Sequence, residues 1–181
     1  EILWRHAVTE PLWLQTLAVA RGHVFFLAGN DVVCLEAIAG TLRWRHGLPD
    51  RAANKGQLCG RPFIGRTTLI PRAEAVLVAR GGKELTALCP ETGVPLWSCP
   101  CGAGFRLPVD MFVTGDEVWV GESAGWQTEP DLQIARDVRT GEVVRRISTR
   151  AAFCPDHHHR CYRNKATERF FLVGRRGVEF I

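Results

Sequence analysis

The sequence predicts an all-β protein built from a repeated four-stranded antiparallel sheet, and three observations lead there. Eighteen Gly and ten Pro stand beside one Met and one Tyr in 181 residues, a balance that favours frequent turns over long helices. One order of parts recurs along the chain: apolar run, turn, apolar run, Gly, Trp. The glycines that mark it, Gly40, Gly93 and Gly141, lie 53 and 48 residues apart.

The first copy starts at Gly22 with G-H-V-F-F-L-A-G-N-D-V-V-C-L-E-A-I-A-G-T-L-R-W-R, where Asn30-Asp31 is the expected turn and Trp44 follows Gly40. The second starts at Glu74 with E-A-V-L-V-A-R-G-G-K-E-L-T-A-L-C-P-E-T-G-V-P-L-W, with Gly81-Gly82 as the turn and Trp97 after Gly93. A third starts at Gly115, carries a longer hairpin loop at residues 123–130, and is degenerate because Arg145 stands where the Trp is expected. Gly suits the second turn because the joint between two strands calls for a positive φ. Residues 12–20, 57–69 and 105–113 supply the remaining strand of each sheet. A fourth copy opens at Ala166 and stops inside a strand. A repeat of roughly 40–50 residues with four short strands is the period of a β-propeller blade. The expected organisation is a single partial domain over residues 1–181, with blades near 12–46, 57–98 and 105–148 and an incomplete one at 153–181.

Composition excludes several classes. With 46% apolar and 23% charged residues the chain is neither disordered nor fibrous. A dispersed net charge of +4 gives no footprint for nucleic acid. The longest apolar stretches fall well short of the roughly 20 residues that span a bilayer, so no membrane span is expected. Residue 1 is Glu, with neither an initiator Met nor a charged and apolar leader, so any export signal is expected to have been removed or to lie outside these residues.

The phrases C-L-E-A-I-A-G-T-L-R-W ending at Trp44 and A-L-C-P-E-T-G-V-P-L-W ending at Trp97 resemble the repeat of the pyrroloquinoline-quinone-like (PQQ-like) β-propellers. That repeat runs as a strand, Ala-Leu-Asp, two or three residues, Gly, two or three residues, Trp. The resemblance implies that Trp44 and Trp97 pack between neighbouring blades. It also implies a ring of seven or eight blades, of which this chain offers three and a half. The remainder is expected from a longer polypeptide, from the lost part of a cleaved domain, or from another chain completing the ring. A small β-sandwich made of the same hairpins is the alternative. For activity the resemblance is broad, since the family holds quinoprotein dehydrogenases, outer-membrane assembly scaffolds and proteins without cofactor.

The segment at residues 154–165, C-P-D-H-H-H-R-C-Y-R-N-K, departs from the repeat and gathers three of six His, two of seven Cys and the single Tyr. It precedes the first strand of the fourth unit, which places it at an inter-blade crossing or along the central channel. Imidazole and thiolate are preferred ligands of zinc and copper. Alternation along a strand puts His157 and His159 on one face and His158 on the other, and Asp156 is placed to ligate or to orient a histidine. The metal reading therefore takes His157, His159 and Cys161 as ligands of copper, zinc or iron. A polar loop with its two cysteines paired or buried explains the same residues. The spacing fits no zinc-finger or haem-attachment pattern. The string H-H-R-C-Y-R-N-K-A-T-E-R is similar to a segment of PQQ-like propellers from planctomycete-type bacteria. Beside it, Arg160, Arg163 and Lys165 form a candidate anion-binding patch, Arg being suited to bidentate contacts with carboxylate or phosphate. Solvated charges flanking a strand are the plainer account.

Seven cysteines are many for this length. Pairing of Cys59 with Cys99 or Cys101, and of Cys154 with Cys161, suits an oxidising compartment, hence a periplasmic or extracellular location. Cys34 and Cys89 read as core residues. Quinoprotein alcohol dehydrogenases of the family carry an adjacent-cysteine disulfide, a calcium or lanthanide site and an Asp base. No Cys-Cys dipeptide occurs here, so PQQ itself is not supported, and Asp110, Asp116 and Asp131 read as ordinary turn or surface acids. Two functions follow: a piece of an exported propeller with a His/Cys transition-metal site near its axis, used for redox or hydrolytic chemistry, or a non-catalytic scaffold that docks a protein through its top loops, with Trp126 as the anchor.

Overall fold

The computed structural model describes residues 1–49, 67–80, 84–101, 111–122, 131–149, 165–167, 169–173 and 177–180. Its first sheet comprises β1 (Leu12–Ala20), β2 (His23–Ala28), β3 (Asp31–Glu36) and β4 (Leu42–Gly47). The second comprises β5 (Thr67–Pro71), β6 (Val76–Arg80), β7 (Glu84–Leu88) and β8 (Pro95–Pro100), and the third β9 (Met111–Thr114), β10 (Glu117–Glu122), β11 (Asp131–Asp137) and β12 (Val143–Thr149). A fourth sheet has three strands, β13 (Lys165–Ala166), β14 (Phe170–Val173) and β15 (Gly177–Phe180). In every sheet the strands lie in sequence order and pair antiparallel. This is the blade architecture of part of a β-propeller, as the repeat predicts.

The short turns follow from local chemistry. Arg21 and Gly22 both adopt positive φ between β1 and β2, the geometry that matches a two-residue turn to strand twist. The β2–β3 turn sits one residue earlier than the expected Asn30-Asp31. Ala28 pairs with Asp31, so Gly29 and Asn30 make the bend, with Gly29 at φ 59°. Glycine takes that place because its backbone tolerates the left-handed region at no steric cost.

The turn before each outer strand is the same in all three complete sheets. The Gly N–H of Gly40, Gly93 and Gly141 donates to the carbonyl four residues back, on Glu36, Cys89 and Asp137, at 2.9, 2.8 and 2.9 Å. Glu36 and Asp137 also fold their carboxylates over the turn. Asp137 Oδ1 accepts from the N–H groups of Arg139 at 2.8 Å and Thr140 at 2.9 Å, and Glu36 accepts from Ala39 and Ile38. These backbone donors hold both carboxyl groups below their usual range. In the second sheet Cys89 occupies the place, half-buried, with its Sγ donating to Glu91 Oε2 at 3.3 Å. Cys89 is thus a turn residue rather than core, because β7 ends at Leu88. Cys34 is core as expected, and burial pushes its thiol up to about 11.

Each outer strand then carries a bulge at one position. Pairing skips from Cys34–Trp44 to Leu35–Leu42, from Ala87–Trp97 to Leu88–Pro95, and from Ala135–Arg145 to Arg136–Val143. Arg43, Leu96 and Val144 are the extra residues. A bulge bends the strand and re-aims the next side chain, here Trp44, Trp97 and Arg145.

The core lies between the sheets rather than within one. Phe25, Leu27, Val32, Cys34 and Trp44 of the first sheet pack on Leu69, Val76, Val78 and Leu88 of the second. The opposite face of that second sheet, Leu77, Ala79, Leu85 and Ala87, packs on Met111, Val118, Val120 and Val138 of the third. A sheet covered on both faces needs apolar residues at successive positions, which is why β6 reads V-L-V-A without alternation.

β1 is broken by a register shift between Trp13 and Ala18. The wholly buried Thr16 repairs it: its hydroxyl donates to the Trp13 carbonyl at 2.6 Å and accepts the Leu27 N–H at 2.9 Å. Thr16→Val keeps the shape and removes the acceptor, leaving a buried N–H unpaired. The expected loss is about 1–3 kcal/mol in denaturant unfolding, while Thr16→Ser loses less. Equal midpoints for Thr16→Val and the native chain would contradict this role.

Candidate functional site

The best-defined constellation is the joint between successive blades. The Trp44 Nε1–H of β4 donates to the Pro90 carbonyl at 2.7 Å, and its ring lies against Gly93 of the next sheet. A Cβ on Gly93 would sit 2.5 Å from the Trp44 ring, and φ there is +71°. The Trp97 Nε1–H of β8 donates to the Val138 carbonyl at 2.9 Å, with its ring on Gly141. In both joints the accepting carbonyl belongs to the residue three before the glycine. Glycine is required twice over, by the left-handed backbone and by the absent side chain that makes room for indole.

A third joint of this kind lies ahead of β1. The Trp4 Nε1–H donates to the Ala37 carbonyl at 2.9 Å, and a Cβ on Gly40 would meet its ring at 2.4 Å. Sequence reasoning missed Trp4 as a blade-joining residue. The signal was present in W-R-H at residues 4–6, which repeats as W-R-H at residues 44–46. The preceding residues extend the contact: Trp4 and Val8 pack on Phe26, Ala28, Val33 and Leu35, on the face of the first sheet away from the second. Arg45 bridges Glu10 of this segment and Asp31 of β3 through its guanidinium. That contact holds the Glu10 carboxyl at about 2, well below its ordinary 4.5.

At the other end the pattern changes. Arg145 occupies the Trp position of the third sheet and folds back on its own blade. Its Nε and Nη2 donate to Glu117 Oε1 at 3.1 and 2.9 Å, and its guanidinium carbon lies 5.9 Å from the centre of the Trp119 ring. The ring face of indole and a carboxylate both favour a cation there.

Trp44 and Trp97 lie at the joints between successive sheets. His157, His159, Cys161, Arg160, Arg163, Trp126, Cys59, Cys154 and Asp110 lie outside the described residues. Lys165 opens β13, and only its backbone is described. Asp116 is an exposed turn acid within 3.8 Å of Arg139, which fits its reading as an ordinary surface carboxylate. Among the described residues no group of three or more His, Cys, Asp or Glu side chains is arranged to hold a metal ion. None of them forms a helix long and apolar enough to cross a membrane.

A family described as the outer membrane protein assembly factor BamB matches residues 1–167. The chain belongs to the PQQ-like β-propeller family. Solved PQQ-like and propeller structures agree with it in fold. BamB from Moraxella catarrhalis superposes with a TM-score of 0.61 at 13% identity, over 93% of this chain and 45% of that one. A europium-containing methanol dehydrogenase gives 0.55 at 17% identity, over 72% of this chain and 24% of that one. The computationally designed Ika4 protein gives 0.64 at 13% identity, over 100% of this chain and 98% of that one. The chain thus spans less than half the length of that BamB and about a quarter of that dehydrogenase. Comparison with curated proteins found no match.

Two outcomes follow for this PQQ-like chain. Trp44→Ala should lower stability by about 3–5 kcal/mol, and Gly93→Ala by a comparable amount because the methyl displaces the same ring. The double variant should lose far less than the sum, since both changes break one contact. Additive losses in chemical denaturation would separate the two residues. For Glu10 the folded value is depressed, so its contribution is complete above pH 4.5 and is lost as pH falls from there toward about 2. Glu10→Gln should flatten that part of the stability profile and leave the slope above pH 5 unchanged.

Proposed function

We propose that this chain contributes blades to an exported, periplasmic or extracellular propeller whose task is non-catalytic: a rigid scaffold that binds another protein. The observation that carries this reading is the match of residues 1–167 to the family described as an outer membrane assembly factor. The joints are consistent with it. Their indoles, glycines and carbonyls are engaged in blade packing, which leaves the connecting loops free to vary and to bind. Trp126, in the 123–130 loop, is the proposed anchor, because a large amphipathic ring in a polar hairpin contributes much contact area at low entropy cost.

A second reading is favoured by the concentration of His, Cys and Tyr in residues 154–165. There His157, His159 and Cys161 would bind copper, zinc or iron, with Arg160, Arg163 and Lys165 holding an anionic ligand. The metal would serve redox or hydrolytic chemistry. PQQ itself gains no support, since no adjacent-cysteine pair occurs in the sequence.

Elemental analysis of the purified chain separates the two. The scaffold reading expects copper, zinc and iron far below one per chain. A stoichiometric metal lost in the His157→Ala, His159→Ala double variant would replace it with the metal reading. A photoreactive residue at position 126 should crosslink in cells to an envelope protein, and failure of every top-loop position to do so would sink the scaffold reading.

A further inference from the structure

At the joint between the second and third sheets, sulfur takes two places that hydrocarbon fills at the joint between the first and second. Leu48 follows Gly40 by eight residues and Cys101 follows Gly93 by eight, so each stands just past an outer strand. The inner strands correspond in the same way. Ala87 and Ala135 each precede their turn glycine by six residues, and their partners Leu77 and Trp119 are followed by Val78 and Val120, which pair with Leu69 and Met111. Leu48 and Leu69 share the core of the earlier joint, and Cys101 and Met111 share that of the later one. Leucine at both places is therefore enough for packing.

A third sulfur joins these two. Trp97 and Cys99 pair with Ala87 and Leu85, on the face that meets the third sheet, and Cys99 packs against the cluster that holds Cys101 and Met111. Cys101 is buried, with its Sγ donating to the Arg80 carbonyl at 3.4 Å. Met111, the single methionine of the chain, is buried as well, and Cys99 is half-buried. Cys101 and Met111 sit at the end of the sheets where β8 finishes and β9 begins. Their surroundings are apolar, with Ala79, Leu85 and Val120 in the same cluster.

Thiolate and thioether are soft donors, the ligand types that select Cu(I). Alternate positions of a strand stand about 7 Å apart, at the far limit for a disulfide. Two metal–sulfur bonds, each roughly 2.3 Å long as in zinc thiolates, span that separation more readily. We propose that Cys99, Cys101 and Met111 form a binding site for one monovalent copper ion at this joint. Both cysteines bind as thiolates, so uptake of Cu(I) releases two protons and changes no oxidation state. The thioether is a neutral third donor, and the apolar shell keeps water from the metal. Two ligands from the second sheet and one from the third make the ion a fastener between blades. The site shares no residue with the metal reading of residues 154–165.

Titration of the copper-free chain with Cu(I), without oxygen and against a chromogenic chelator, tests this. One Cu(I) per chain is expected, with only sulfur in the ligand shell by X-ray absorption. Cys101→Leu and Met111→Leu place leucine where the earlier joint has Leu48 and Leu69, so both should keep the far-ultraviolet circular dichroism and cooperative unfolding of the native chain. Cys101→Leu should weaken Cu(I) binding on the order of 100-fold or more, and Met111→Leu by about 10-fold, losses at or above those that outer-shell partners cause. The Cys154→Ser, Cys161→Ser double variant should bind as the native chain does. Because copper is added to a copper-free chain, metal content on purification tests the 154–165 reading separately. Equal affinity in the native chain and in either leucine variant would overturn the proposal. So would copper lost with Cys154 and Cys161, a nitrogen ligand, or a native disulfide from Cys59 to Cys99 or Cys101 in peptide mapping.

Discussion

The contact on which the rest of this structure depends is an indole laid on a glycine. Each blade is a small sheet that cannot bury its own two faces, so its stability comes from its neighbours. The Trp ring fixes the spacing of adjacent sheets, and its N–H fixes their register by reaching one carbonyl, on Ala37, Pro90 or Val138. Other repeated features serve that contact. The bulge before the Trp turns it toward the next sheet, the Gly turn removes the side chain that would block it, and the carboxylates of Glu36 and Asp137 hold the turn rigid from beneath.

Arg145 shows what happens where that contact is given up. Its guanidinium turns inward to Glu117 and Trp119 of the same blade instead of reaching a glycine on the next. Among the described residues no indole therefore stands at the outer-strand position of the third sheet. Propellers built by repetition vary at such positions without losing the fold, because each blade touches only its two neighbours. The same locality explains why 13–17% identity is compatible with a shared architecture: a handful of glycines and indoles set the geometry, and the remaining positions need only be apolar or polar as the faces demand.

Placing the proposed binding surface on the loops follows from this economy. The indole donors of the joints are satisfied internally, so the proposed recognition falls to segments that the joints leave unconstrained.

The amino-acid sequence by itself determined the all-β class, the repeat, the outer-strand position of Trp44 and Trp97 and the degeneracy of the third unit, because glycine at a positive φ and a lone Trp four residues later leave a local mark. β1 was legible to the residue at Leu12–Ala20, whereas the β2–β3 turn was misplaced by one, since Gly29 and Asn30 and the pair Asn30-Asp31 are equally good turn chemistry in isolation. The chemistry expected of His157, His159 and Cys161 was legible only as a gathering of ligand types, and those residues are not among the ones the structure describes. What only the tertiary structure decided was the meaning of contacts between units. The sequence marks Trp4 only through the W-R-H it shares with residues 44–46, and nothing local distinguishes Thr16 from a surface threonine. Their roles depend on Gly40 in the β3–β4 turn and on Leu27 in β2, partners that are fixed only once the strands have paired and the sheet has formed.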